Sequence, residues 1–277
     1  METNLRTLGP TGAKVVLTLR EHGRSIVRVR DIRALVSSDA SARAVIKRLL
    51  RTGWLARAMG GVYLLLPPEH GPDNLGENNP IALATAAVDP SYVGWWSAAA
   101  HHGFTTQNPL TVLVAVTRQV PAREVEGTPV RYVALSAKKF FGYQPYPVFG
   151  REVPISTPAK TVIDCVDRPE LAGGPSEVAR IINQALATVD PADLQDAALR
   201  LGSKALLQRL GFLTDFLEKP LPSAVRAAFR DRIPKSARSR FGRGEPRDGD
   251  IGFVAAWGLY VDARRGDLLA ESPRRHA

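Results

Sequence analysis

The residues best suited to chemistry are cations on one side of a short segment, residues 38–55. Lys47, Arg48 and Arg51 recur at helical spacing, and Arg43 stands on their flank. Ammonium and guanidinium groups bind phosphates, and guanidinium groups also bind base edges in the major groove. Small residues precede the cations, so a helix here could enter a groove without clashing. The pattern predicts a DNA-binding helix.

The apolar residues of the same segment show how that helix is held. They recur at i, i+3, i+4, i+7 and i+8, which is typical of a helix with one buried stripe. They are Ala42, Val45, Ile46, Leu49 and Leu50. Ser37, Ser38 and Asp39 form the turn before the helix and supply its N-cap.

The flanking segments complete a winged helix-turn-helix over residues 9–66. We expect helices at 10–23 and 31–36, a short strand at 26–29, and a hairpin, the wing, over 54–66. Trp54 should be a core residue between the third helix and the wing. Arg57 at the base of the wing could contact a phosphate or the minor groove. The candidate DNA-contacting residues are therefore Ser41, Arg43, Ala44, Lys47, Arg48, Arg51 and Arg57.

Two adjacent histidines, His101 and His102, could suggest metal binding or acid–base catalysis. Adjacent residues of a helix point about 100° apart and do not easily share a metal. The interpretation we prefer is a histidine at a helix end, hydrogen-bonded within the core.

Three carboxylates, Asp164, Asp167 and Glu170, could suggest a nuclease. A restriction-type nuclease would also need a Glu-x-Lys sequence, and the chain has none. We expect these carboxylates to be solvated or to cap helices, and Cys165 to be packed in a core. The sequence thus predicts no catalytic residue, no metal site, no cofactor and no enzymatic activity.

The rest of the chain predicts a second, larger domain. Residues 67–80 are rich in Pro, Asn and Gly, so we place the linker at 69–80, between a winged helix-turn-helix domain (1–68) and a C-terminal domain (81–277). Because loops of this composition have few contacts across them, the two domains should fold independently. The fold class is α+β, with the winged helix followed by a mixed α/β domain whose C-terminal part is helical.

Hydrophobic patterning locates the elements of the second domain. We expect helices at 81–88, 92–103, 159–166, 175–187, 191–201, 203–217 and 222–231. We expect strands at 111–117, 130–135, 148–155 and 254–261. Residues 234–250, basic and rich in Ser, Gly and Pro, are predicted to be a mobile loop.

The charge of the chain is uneven. The net charge is +10, with +7 in residues 1–70, −2 in residues 71–220 and +5 in residues 221–277. A strongly basic chain favours a polyanionic partner, and here the two ends would provide the surface for it.

Cysteine content and hydropathy indicate the cellular compartment in which we expect the protein. Cys165 is the single cysteine, so neither an intrachain disulfide nor a cysteine zinc site can form. We find neither a signal-peptide core nor an apolar run of membrane-spanning length, and therefore expect a cytoplasmic protein.

The order of several short motifs resembles the AbiEi family of type IV antitoxins. A short basic winged helix and a Pro/Asn/Gly linker come first. The sequences Trp96-Ser97-Ala98-Ala99-Ala100-His101-His102-Gly103, Leu113-Val114-Ala115-Val116, Thr157-Pro158-Ala159-Lys160-Thr161-Val162-Ile163-Asp164-Cys165 and Gly173-Gly174-Pro175-Ser176-Glu177-Val178 follow. The resemblance covers about residues 10–215.

The resemblance implies a two-gene module. The antitoxin would repress its own operon by binding double-stranded operator DNA, expected to contain inverted repeats, through the N-terminal domain. The C-terminal domain would counteract a cognate nucleotidyltransferase-like toxin, and the resemblance does not imply stable direct binding of that toxin. The alternative is a ligand-responsive winged-helix regulator without a toxin partner, with the middle domain as its sensor.

Overall fold

A computed structural model describes residues 8–59, 61–66, 79–125, 127–148 and 151–269. The fold is mixed α+β. The described part of the chain contains eleven α-helices and three sheets. The predicted linker at 69–80 falls largely outside the described residues.

The N-terminal part alternates helices with the strands of a small sheet. In chain order the elements are α1 (Pro10–Glu21), β1 (Ile26–Arg28), α2 (Val29–Arg33), α3 (Asp39–Arg51), β2 (Leu55–Met59) and β3 (Val62–Leu65). The sheet has the order β1-β3-β2, and both pairings are antiparallel. Gly23, just after α1, has a φ of +62°, which suits a glycine ending a helix.

Both faces of this small sheet are buried, but against different partners. Tyr63 and Leu65 pack on one face with α1, α2 and α3, and Trp54 is buried in the same cluster. Leu64 and Leu66 pack on the other face with residues that come after residue 79, including Leu83. The core position expected for Trp54 is confirmed.

The second part is built on a six-stranded mixed sheet of order β6-β7-β5-β4-β9-β8. Its strands are β4 (Ser91–Val93), β5 (Val112–Val116), β6 (Arg123–Val125), β7 (Thr128–Ala134), β8 (Tyr143–Val148) and β9 (Arg151–Ser156). Alternate residues of β5 face opposite sides: Val112 and Val114 pack toward the N-terminal sheet, while Leu113 and Ala115 pack toward the helices that follow.

Helices cover this sheet. α4 (Pro80–Ala87) lies between it and the N-terminal sheet. The remaining helices are α5 (Trp95–His101), α6 (Pro158–Asp167), α7 (Pro175–Ala185), α8 (Pro191–Leu201), α9 (Lys204–Phe216) and α10 (Ser223–Arg232). The four predicted C-terminal helices correspond to α7–α10.

The third sheet lies at the C-terminal end, where we expected a loop and one strand. β10 (Ser239–Gly242) pairs in parallel with β12 (Leu259–Arg264), which pairs antiparallel with β11 (Asp250–Val254); α11 (Arg265–Leu269) follows. The prediction of one strand at 254–261 is wrong, because those residues include the turn between β11 and β12. The prediction of a loop over 234–250 is wrong for β10.

The N-terminal part is also attached to the second part by polar contacts. The Arg28 guanidinium donates hydrogen bonds to the carbonyl oxygens of Ala86 (2.6 Å) and Thr85 (3.2 Å), in the last turn of α4. A cation there satisfies carbonyls that lack helical partners. Arg28 and Arg30 also form ion pairs with Asp89. The expectation that few contacts cross between the two parts is therefore wrong.

Candidate nucleic-acid interface

Helix α3 begins at Asp39, directly after Ser38, one of the predicted N-cap residues. The Ser38 hydroxyl accepts a hydrogen bond from the backbone N–H of Ser41 at 3.1 Å, which caps the helix. Ala42, Val45 and Ile46 are buried, as the apolar stripe predicts. The cations of α3 consequently remain at the surface.

A groove runs between α3 and the β2–β3 hairpin. Arg43, Lys47 and Arg51, spaced four residues apart, form its helical wall. Arg57 of β2 and Tyr63 of β3 line the hairpin side. We call these four cations and the tyrosine the basic groove. Ile46 and Leu50 also line the groove, so the charges border an apolar surface.

The cations of the basic groove differ in their ion pairing from other arginines of the N-terminal part. Within the described ranges, none of Arg43, Lys47, Arg51 and Arg57 forms an ion pair with a carboxylate. Other arginines of the N-terminal part do: Arg24 pairs with Asp31, and Arg33 with Asp39 at 2.6 Å. Positive charge is therefore concentrated where α3 meets the hairpin, which suits a polyanion.

The other three candidate residues lie elsewhere on α3. Arg48 is exposed, but its guanidinium lies against Gly9, where a Cβ would come within 2.5 Å of it. Arg48 thus lies beside the start of α1 and outside the groove. Ser41 contributes to the capping turn, and Ala44 is exposed on the helix surface. Tyr63 was not among the sequence candidates, because an aromatic residue in a strand indicates core packing as readily as a surface role.

His101, the last residue of α5, and His102, its C-cap, lie in an aromatic cluster with Tyr146. His102 Nε2 lies 2.7 Å from the carbonyl oxygen of Ser156 and can donate to it. Burial lowers the pKa of both imidazoles below the usual value, which favours their neutral forms. The hydrogen-bonded helix-end histidine expected from the sequence is confirmed for His102.

The three carboxylates do not converge. Asp167 binds Lys139 at 2.8 Å, and Glu170 binds Arg168 at 2.9 Å. Asp164 is buried and pairs with buried Lys160, so the expectation of a solvated or capping carboxylate is wrong for this residue. Burial raises the pKa of Asp164 to about 6 even though Lys160 opposes the shift.

Cys165 is fully buried, as expected for a packed cysteine, and burial raises the pKa of its thiol. Within the described ranges, no group of three or more His, Cys, Asp or Glu residues is arranged to hold a metal. Over the same ranges, no helix combines the length and apolar character needed to cross a membrane.

The second part also carries a large open cleft of about 1740 Å³ beside Trp96. Phe104 and Leu110 provide apolar lining, whereas Glu177 and Arg180 provide charged lining. These two charged residues are already paired with each other at 2.5 Å. The cleft is therefore a mixed surface and not an enclosed apolar pocket.

Comparison with known proteins gives matches of two kinds. Residues 92–216 match the model of a family described as the AbiEi antitoxin C-terminal domain. The chain is also similar to the crystal structure of RV2827C protein from Mycobacterium tuberculosis, with a TM-score of 0.58, 18% sequence identity and 95% of each chain covered. At that identity the likeness shows the fold alone. No curated protein matches the chain.

Proposed function

We propose that this chain is a type IV antitoxin that also represses its own operon, because residues 92–216 match the model of the AbiEi antitoxin C-terminal domain. In this proposal the N-terminal part binds operator DNA as a winged helix-turn-helix. The C-terminal domain counteracts a nucleotidyltransferase-like toxin, and neither part is an enzyme.

The order of elements in the N-terminal part supports the winged helix-turn-helix assignment. Helix α3 follows α2 after a short turn and is followed directly by the β2–β3 hairpin. In DNA-binding proteins of this kind, the second helix of the pair enters the major groove. The hairpin would then be the wing, with Arg57 beside the neighbouring backbone.

The basic groove is the observation that carries the DNA-binding proposal. Its four cations are uncompensated in the described residues, and three of them share one stripe of α3. Such a stripe can contact phosphates and base edges together. We assign Arg43, Lys47, Arg51 and Arg57 to direct DNA contact, with Ser41 and Ala44 near the bases and Arg48 at a flanking phosphate.

The test uses charge reversal inside and outside the groove. In the full chain, Lys47→Glu with Arg51→Glu should weaken binding to the operator roughly tenfold or more, since removing a base contact costs about 1–3 kcal/mol. The slope of log affinity against log salt should fall by about 0.9 for each phosphate that the variant no longer neutralises. Gel shifts over a salt series measure both.

The control is Arg118→Glu with Arg123→Glu, two exposed arginines of the second part. It makes the same change in net charge and should leave operator affinity nearly unchanged. Equal losses of affinity in both variants would mean that only overall charge matters. Unchanged binding in the groove variant would contradict the assignment of α3.

The antitoxin activity is tested separately, in cells that express the neighbouring toxin gene. The groove variant should still protect those cells while an operator-driven reporter is derepressed. A variant that loses protection together with repression would show that antitoxicity follows from DNA binding.

The ligand-responsive alternative receives less support. A sensor domain is expected to enclose much of its ligand in a mainly apolar pocket. The cleft beside Trp96 is open, and charged side chains contribute to its lining.

A further inference from the structure

The C-terminal sheet presents two aromatic rings to solvent, outside the part that matches the antitoxin family. Phe253 of β11 is 45% exposed and Tyr260 of β12 is 39% exposed. The two residues are direct partners in the β11–β12 register, and their ring centroids are 4.8 Å apart. Cross-strand aromatic pairs also occur as ordinary sheet packing. The residues around this pair are therefore needed to distinguish packing from ligand binding.

Arginines extend this pair into a row across the sheet. Arg240 of β10 is the register partner of Tyr260, so Arg240, Tyr260 and Phe253 lie side by side across the sheet. The Arg240 guanidinium lies 5.2 Å from the Tyr260 ring centroid, and that of Arg238 lies 5.4 Å from the Phe253 centroid. We call these four residues the aromatic row.

The charge around the aromatic row is positive. Residues 235–265 contain seven Lys or Arg residues and four Asp or Glu residues. Two of the carboxylates are occupied, because Asp262 holds Arg240 at 3.0 Å and Asp250 holds Arg243 at 2.7 Å. Within the described residues, Arg238 and Arg264 hydrogen-bond to backbone carbonyls and form no ion pair.

The opposite side of the same sheet is anchored, so the aromatic row is held by a rigid support. Phe241, Leu259 and Val261 are buried in the main core, and Trp257 packs against Gly211 of α9. Rings fixed on a packed sheet lose little freedom when a ligand stacks on them.

We propose that the aromatic row binds a single-stranded nucleic acid, with bases stacked on Phe253 and Tyr260 and phosphates held by Arg238 and Arg264, which form no ion pair in the described residues. Flat exposed rings flanked by cations suit unpaired bases, since stacking needs an open base face and the cations follow the backbone. A duplex keeps its bases stacked on one another and offers no such face. The site is separate from the basic groove and goes beyond the proposed function.

The test measures binding of the full chain to fluorescein-labelled oligouridine RNA and oligothymidine DNA of about 15 nucleotides, close to the upper site size of single-strand binders. Fluorescence anisotropy over a salt series should show binding of both strands. Phe253→Leu with Tyr260→Leu keeps apolar side chains but removes the flat rings. It should lower affinity at least about thirtyfold, because two base–ring stacks are lost and each contributes about 1–3 kcal/mol.

Charge variants provide a second readout. Arg238→Gln should lower the salt slope by about 0.7, the value for one single-strand phosphate contact. Arg118→Gln, an exposed arginine away from this sheet, should leave the slope unchanged. The thermal midpoint of each variant checks folding, and it should stay close to wild type because the substituted side chains are at the surface.

The basic-groove variant, Lys47→Glu with Arg51→Glu, separates this site from the proposed DNA-binding site. It should retain single-strand binding, and the leucine variant should retain operator binding. The proposal is overturned if wild type binds neither oligonucleotide, or if the leucine variant binds them as tightly as wild type. Loss of single-strand binding in the basic-groove variant, or equal loss of operator and single-strand binding in the leucine variant, would also overturn it.

Discussion

Lys160 and Asp164 of α6 form an ion pair that is almost completely buried. Lys160 Nζ lies 2.5 Å from both carboxylate oxygens and donates a further hydrogen bond to the Tyr92 hydroxyl at 3.2 Å. The ammonium also lies 4.9 Å from the Phe141 ring centroid. A buried pair stabilises little compared with apolar residues, but removing one partner leaves a charge without compensation.

Asp164→Asn should therefore lower the free energy of unfolding by about 3–5 kcal/mol. Lys160→Met with Asp164→Leu should recover most of this stability, because no buried charge remains. The control is Asp39→Asn, because the side chains of Asp39 and its partner Arg33 are 49% and 64% exposed, and it should cost at most about 1 kcal/mol. Urea unfolding measures all three, and equal costs for the two Asn variants would contradict the argument.

The sequence predicts the burial of apolar residues in α3 better than the burial of charged residues in α6. Four residues of the predicted apolar stripe of α3 are buried and the fifth, Leu50, is partly buried, because helical periodicity relates directly to one face. The sequence of α6 does not indicate that Lys160 and Asp164 are both buried, since oppositely charged residues at i and i+4 of a helix are usually at the surface. Their burial results from elements that close over α6, including the segment with Phe141 and Gly142.

The C-terminal sheet is attached to the helices through one close contact. A Cβ on Gly211 of α9 would come within 2.3–2.5 Å of the buried Trp257 ring. Trp257 Nε1 also donates a hydrogen bond to Asp215 at 2.9 Å. The glycine is therefore required by packing, although it weakens the helix that contains it.

Two effects of opposite sign meet in Gly211→Ala. Better helix propensity would stabilise the chain by about 1 kcal/mol, whereas displacement of a buried ring costs about 1–3 kcal/mol or more. We expect net destabilisation and a loosened C-terminal sheet. Gly266→Ala in α11 is the control, because no atom lies within 4 Å of its Cβ position, and it should be neutral or slightly stabilising.

Thermal unfolding and hydrogen exchange of β10–β12 measure the effect. An unchanged midpoint in Gly211→Ala, with unchanged protection of the sheet, would show that Trp257 moves without cost.

Helices were easier to predict from this sequence than sheets. The helices α7–α10 follow from local periodicity and from caps such as Ser203, which accepts a hydrogen bond from the N–H of Leu206. β10 depends on a parallel partner about twenty residues later in the chain, and its Ser, Gly and Arg content indicates a loop. Strand pairing depends on distant residues, so composition alone could not predict this sheet.

At the scale of the whole molecule, the N-terminal sheet joins the two parts. Its residues Val62 to Leu66 are all buried, so they lack the alternation of apolar and polar side chains found in a strand with one solvent-exposed face. That run of apolar residues indicates burial on both faces of the strand. The linker composition pointed instead to two independent domains, which would leave one face of the strand exposed. The placement of the candidate DNA-contacting residues thus depends on the second part, because α4 supports the sheet behind the basic groove.

The same dependence predicts that substitutions on the two faces of β3 behave differently in a fragment. In the full chain, Leu64→Thr and Leu65→Thr should each destabilise by about 2–5 kcal/mol, because both side chains are buried. In a fragment of residues 1–70, the face with Leu64 has lost α4 and is open to water. Leu64→Thr should then change stability by at most about 0.5 kcal/mol and improve solubility, whereas Leu65→Thr should still unfold the fragment.

The thermal midpoint of each single variant, measured in the full chain and in the fragment, tests this difference between the two faces. The proposed function predicts that the unsubstituted fragment binds operator DNA more weakly than the full chain, because its sheet is unsupported. It also predicts that the fragment fails to protect cells from the toxin, because residues 92–216 are absent. Equal destabilisation of the fragment by the two substitutions would mean that the face with Leu64 is covered within residues 1–70. In that case the two parts would be independent units, and the support of α3 by α4 would have no role in DNA binding.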